Sequence, residues 1–177
     1  MLKSIGRFTK HLVSHHWQVG RYFSDAALQR IENAIAASEK NHEGEISFVV
    51  EAGLHPYEIV FKKSPRNRAI ELFGRFHIWD TECNSGVLIY MLLADRDVEI
   101  VADRGIHQHV GHDGWEAICH EMEVMFRRGE FESGVLHGIA RIGALLDKHF
   151  PISSVKNSKN KTTKKKRNEI SNKPIIL

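Results

Sequence analysis

The residues of this chain best suited to chemistry flank its most apolar stretch. Asp80, Glu82 and Asn84 precede the run 86–94, and Asp103 and Arg104 follow a second strand-like run, 98–102. Carboxylates and amide carbonyls are the oxygen ligands that a hard cation such as Ca2+ or Mg2+ prefers, and carboxylates gathered without a cation repel one another. If the two runs pair as a hairpin, Asn84 and Asp103 fall at one edge of a sheet, where Asp80, Glu82, Asn84 and Asp103 can converge. Arg104 beside them can neutralise a bound anion. The competing reading is local: Asp80 and Asn84 cap turns, and Asp103 pairs with Arg104 or Arg75.

Histidine supplies a rival set, since the chain carries twelve. The stretch HQHVGH reads as a loop that places His107, His109 and His112 together, and three imidazoles can hold zinc. His112, Glu116 and His120 also share one helical flank, but neither spacing is the H-E-x-x-H pattern of zinc hydrolases. Cys83 and Ser85 stand beside Asn84, yet no G-x-S-x-G elbow and no ordered triad accompanies them. The bland reading of Cys83 is a small half-buried thiol. No phosphate-cradling glycine loop is present. Trp79 precedes the candidate site and can form a wall of its cleft, Trp115 fits the apolar stripe of its helix, and the bland reading of both is core.

The elements that must position these residues follow from periodicity. Ser24 can cap a helix carrying Leu28, Ile31 and Ile35 on one stripe, and EISFVVEA then reads as a strand buried on both faces. Ser64 and Pro65 open a helix with Ala69, Leu72, Phe73 and Phe76 on one side. GVLIYMLLA, the turn at 95–97 and VEIVA make a hairpin in the core. A helix from Asp113 turns Trp115, Ile118, Met122 and Phe126 inward, and a last one from Phe131 does so with Val135, Leu136, Ile139, Ile142, Leu146 and Phe150 before Pro151. The order α-β-α-β-β-α-α predicts an α/β/α sandwich of three layers: a small mixed sheet with a central β-hairpin and about four flanking helices.

Length and charge bound the rest. The 177 residues suit one domain. Residues 151–177 carry a net +7 against +3 for the whole chain, which leaves −4 for residues 1–150. A folded part that is mildly acidic argues against a specific nucleic-acid binder. Three parts are therefore expected: a basic amphipathic segment over 1–23, a domain over 24–150, and a Lys-rich tail over 151–177 too polar to order. Leu2, Ile5, Phe8, Leu12 and Val13 recur at helical spacing among Lys3, Arg7 and Lys10, as in an interfacial or transit-type helix or one docked on the domain. That segment and the KKKR run at 164–167 can provide weak attachment to a membrane surface or an acidic partner. Two cysteines make no disulfide framework, and no run is apolar enough for a signal core or a membrane span. The expected location is cytoplasmic, with peripheral membrane attachment as a variant.

The stretch NSGVLIYMLLADRDVEIVADRGI, followed by WEAICHEMEVMFRRGEFESGVLHGI, resembles the TPM domain family of thylakoid-lumen, photosystem II repair and levamisole-receptor modulator proteins. The likeness rests on Asn84, Gly86, Val87 and Leu88 at the start of a strand, the hairpin and its Gly-containing end, and Phe131, Gly134, Gly138 and Ile139 in the last helix. It covers about residues 24–150. The resemblance implies an α/β/α sandwich and a divalent-ion site between the loops before and after the hairpin, with Ca2+ favoured over Mg2+ or Zn2+. It also implies a protein partner in membrane-protein or envelope upkeep for some members, and for others an acid phosphatase activity, to which Asp103 and Arg104 would be the catalytic contribution here. Many relatives have Asp-Asn before the glycine where this chain has Asn84-Ser85, and Asp103 can restore the missing carboxylate.

Overall fold

A computed structural model of the chain describes residues 19–61, 63–152 and 168–177. Most of the basic N-terminal segment and the KKKR run therefore lie outside the described residues. The run 86–92 has no polar face and is buried at every position, so it needs cover on both sides. It forms β2 inside a four-stranded sheet ordered β3-β2-β1-β4. Strand β1 (Glu45–Glu51) lies parallel to β2 (Gly86–Leu92), with Glu45 opposite Gly86 and Glu51 opposite Leu92. Strand β3 (Asp97–Ala102) returns antiparallel, with Val87 opposite Ala102 and Leu92 opposite Asp97. Its outer side is a sheet edge. The two-residue strand β4 (Ile175–Ile176) adds to the far side of β1 in parallel.

Six helices are described: α1 (Val19–Tyr22), α2 (Asp25–Ser38), α3 (Pro56–Val60), α4 (Pro65–Arg75), α5 (Arg104–Arg127) and α6 (Phe131–His149). Alternation along the strands divides the core in two. Ile46, Phe48, Val87 and Ile89 meet α2, α5 and α6 on one face, while Val49, Leu88, Tyr90 and Val101 meet Ala69 and Leu72 of α4 on the other. The three layers expected from the sequence are present. The serine caps are also as expected, with Ser24 Oγ accepting from the Ala27 amide at 3.2 Å and Ser64 Oγ from the Asn67 amide at 3.1 Å. Gly134 and Gly138 show why the last helix needs small residues. A Cβ on Gly134 would lie 2.6 Å from the Phe126 ring, and one on Gly138 would lie 2.5 Å from Met122 Sδ.

Three expectations change. The HQHVGH stretch is not a loop: α5 starts at Arg104, nine residues before Asp113, because Asp103 caps it. Gly111, at φ 72° and ψ 174°, interrupts the helix there, a conformation that only glycine adopts readily. The expected disordered tail does not extend through its last ten residues, since 168–177 supply β4 and a row of hydrogen bonds. The reason is that Ile170, Ile175 and Leu177 find an apolar sheet face to cover. Finally, Trp79 is not core but 50% exposed.

Candidate functional site

The hairpin brings the two polar loops together at one end of the sheet. The Asp103 amide donates to the Gly86 carbonyl at 2.9 Å, and the Gly105 amide donates to the Asn84 carbonyl at 2.9 Å. Asn84 reaches this position with φ 51°, a left-handed conformation that asparagine tolerates better than most residues. The loop is held beneath by Thr81, whose Oγ1 accepts from the Ser85 amide at 3.0 Å. Asp103 Oδ1 accepts from the Arg104 amide at 2.6 Å. The Ile106 amide shares the Asn84 carbonyl at 3.4 Å, and the His107 amide bonds the Asp103 carbonyl at 2.9 Å. All of the first amides of α5 are thereby engaged.

The four expected ligands occupy different environments. Asp103 is 7% exposed, and its Oδ2 is buried with no hydrogen-bond partner; Ser85 Oγ is buried in the same condition. Asp80, Glu82 and Asn84 are exposed, as is Arg104. Asp103 makes no ion pair with Arg104 or Arg75, so its carboxylate is aligned by backbone alone. Among the described residues no three His, Cys, Asp or Glu side chains are grouped so as to hold a metal. Oxygen is the ligand type that a hard cation prefers, and the oxygens present here are the Asp103 carboxylate, the Ser85 hydroxyl and the backbone carbonyls of Cys83 and Asn84.

Residues 168–172 sit beside this loop. Glu169 Oε2 accepts from the Glu82 amide at 3.1 Å, the Glu169 amide donates to Glu45 Oε1 at 3.4 Å, and Asn172 Nδ2 donates to Glu39 Oε2 at 2.6 Å. Asp80 lines a cavity of about 290 Å³ together with His77, Glu169, Ile170, Ser171 and Ile175. Apart from His77, the partners named here lie far from Asp80 in the sequence.

A larger cavity, about 730 Å³, lies elsewhere, along the outer edge of β3. His107, His112 and His120 line it with Asp97, Glu99 and Cys119, whereas His109 turns away to stack on His149 at 4.6 Å. The three histidines of HQHVGH therefore do not share one site. His107 Nδ1 accepts from Trp115 Nε1 at 3.2 Å. Burial, then the charge of Glu99, pushes the Asp97 carboxyl up to about 6. The same two causes push the Cys119 thiol up to about 12, which keeps it protonated and unreactive at neutral pH. The Arg66 guanidinium donates to the Ile100 carbonyl and so covers part of the β3 edge.

At the opposite end of β1 stands a polar network that periodicity does not reveal. Arg68 Nε and Nη2 donate to Glu51 Oε2 and Oε1 at 3.0 and 2.8 Å, and Tyr90 Oη donates to Glu51 Oε2 at 2.6 Å. Burial disfavours the Arg68 charge, yet its pKa is raised because the carboxylates of Glu51, Glu58 and Glu71 together outweigh that cost. Burial and the Glu51 charge both raise the Tyr90 phenol. A glutamate ending a strand and an arginine one turn into a helix were the available signals, without a hint that they meet.

Known proteins agree with this architecture. The NMR structure of the BA42 protein from the psychrophilic bacterium Bizionia argentinensis is similar with a TM-score of 0.71 and 27% identity, covering 86% of this chain and 94% of that one. The N-terminal domain of a P. gingivalis protein, solved by NMR, shares the fold with a TM-score of 0.58 at 18% identity, over 72% of this chain and 78% of that one. No curated protein sequence matches the chain. No helix among the described residues is long and apolar enough to cross a membrane. The sequence matches the TPM domain over residues 19–145, and the chain belongs to the TPM domain family.

Proposed function

We propose that this protein is a regulatory or interaction module whose Asn84–Asp103 junction takes a hard divalent cation, Ca2+ ahead of Mg2+ or Zn2+. The observation that carries this reading is the Asp103 Oδ2 atom, buried without a hydrogen-bond partner; Ser85 Oγ, on the residue before the Gly86 whose carbonyl meets the Asp103 amide, is in the same condition. A buried carboxylate oxygen without a donor is costly, and a cation removes that cost. A bound cation would neutralise Asp103 and fasten the loop before the hairpin to the start of α5. Asn84 belongs to the same junction, while Asp80 and Glu82 are exposed residues of the loop that precedes the hairpin. A phosphatase using Asp103 and Arg104 is the weaker reading. The amides that would cradle a phosphate at the start of α5 are already engaged, and a preorganised set of free donors is what such a reaction requires. The link to a protein partner in membrane-protein or envelope upkeep rests on family membership.

The test is the thermal midpoint of the wild type and of Asp103→Asn with and without millimolar Ca2+, Mg2+, Mn2+ or Zn2+. A ligand at about a hundred times its dissociation constant adds roughly 2.7 kcal/mol, a rise of several degrees. The expected result is a rise with Ca2+ in the wild type that Asp103→Asn abolishes. Asparagine keeps the helix cap, so loss of the rise reports the ligand rather than the fold. No rise with any of the four ions removes the site.

A further inference from the structure

The two edges of the sheet are covered by different means. At β3 a side chain, Arg66, takes an outward carbonyl. At β1 another stretch of chain does so: the Leu177 amide donates to the Val50 carbonyl at 3.0 Å, and the Ala52 amide donates to the Leu177 carbonyl at 3.3 Å. Ile175 and Leu177 pack on the α4 face and Ile176 on the other, so the segment satisfies the edge and both faces at once. Without it, β1 would present unpaired peptide groups between two apolar faces, which is a template for another strand.

The segment that fills this edge is joined to the domain only through residues 153–167. Those fifteen residues hold seven Lys or Arg and no acid, and fifteen residues span up to about 50 Å. That length can reach a neighbouring molecule as well as its own. A second copy offers the same contacts atom for atom, so the two arrangements differ only in concentration and in the connection.

We propose that the β1 edge is a strand-acceptor site exchanged between two copies of this chain, each lending residues 168–177 to the other. The exchange carries a consequence for the junction described above. Glu169, which bonds the Glu82 amide, and Ser171, which faces the same cavity as Asp80, then come from the other copy. The seven positive charges in each connection repel in the exchanged pair, so raised salt favours it.

The experiment uses two full-length variants, both with Cys83→Ser and Cys119→Ser. One carries Asp80→Cys and the other Ser171→Cys, residues that line one cavity. They are mixed and treated with a short bismaleimide. The expected product is a one-to-one covalent pair whose yield rises with protein concentration and falls about tenfold or more when the donor chain also carries Leu177→Pro, which lacks the amide that meets Val50. Absence of the pair, or a yield indifferent to Leu177→Pro, overturns the proposal. Light scattering on the unmodified chain gives an independent reading: a dimer that grows with concentration and is lost in Leu177→Pro supports exchange, and a monomer at every concentration refutes it.

Discussion

The Gly105 amide donates to the Asn84 carbonyl across 2.9 Å, and no side chain fits between the two loops that this bond joins. A Cβ on Gly105 would stand 2.6 Å from the Asn84 oxygen and 2.8 Å from the Cys83 oxygen. Both are backbone atoms and cannot swing aside. Gly105→Ala should therefore cost about 1–3 kcal/mol by forcing the loops apart. Thermal unfolding checks this, and an unchanged midpoint would mean that the loops separate freely.

The ion pair of Arg68 with Glu51 predicts a larger loss. Arg68→Ala leaves the Glu51 carboxylate buried with only the Tyr90 hydroxyl, and removing one partner of a buried pair costs about 3–5 kcal/mol. Urea unfolding should show it. Arg68→Lys should rescue only part, because one ammonium cannot replace the two donors of the guanidinium. Full rescue by lysine would show that charge alone matters.

Asp97 predicts an unusual pH trend. Its folded pKa of about 6 stands above the ordinary value of 3.8, first because of burial and then because of Glu99, Glu123 and Asp95. Between those values the folded state keeps a proton that the unfolded state releases. Its contribution to stability is therefore largest below pH 3.8, declines as pH rises to about 6, and stays lost above. Asp97→Asn should raise the midpoint at pH 7 and change it little at pH 3.8. The gain at pH 7 should be on the order of 1 kcal/mol after solvent screening. A variant less stable than wild type at pH 7 would contradict this account.

Much of the fold is legible from short-range pattern, because the forces that shape helices and strands act over a few residues. Ser24 and Ser64 cap the helices that they precede in the sequence, and the apolar run 86–94, the turn at 95–97 and the run 98–102 pair as a hairpin. The family motif of Phe131, Gly134 and Gly138 is legible too, and its cause is the contact with Phe126 and Met122. The start of α5 was less legible, since HQHVGH has little apolar period and its helix depends on the cap at Asp103.

The candidate site divides along the same line. That Asn84 and Asp103 meet follows from hairpin register, which a sequence can specify. Which of the polar residues becomes buried does not. Asp103 and Ser85 lose solvent, while Asp80 and Glu82 keep it and are met by the 168–172 stretch. The sequence by itself determined the elements, the hairpin and the three layers. The tertiary structure alone decided that Glu45 meets Glu169, 124 positions away, that Glu39 meets Asn172, 133 positions away, and that the last residues close the β1 edge. The physical reason is that the burial of a polar atom depends on every segment that covers it, and those segments are neighbours in space rather than along the chain.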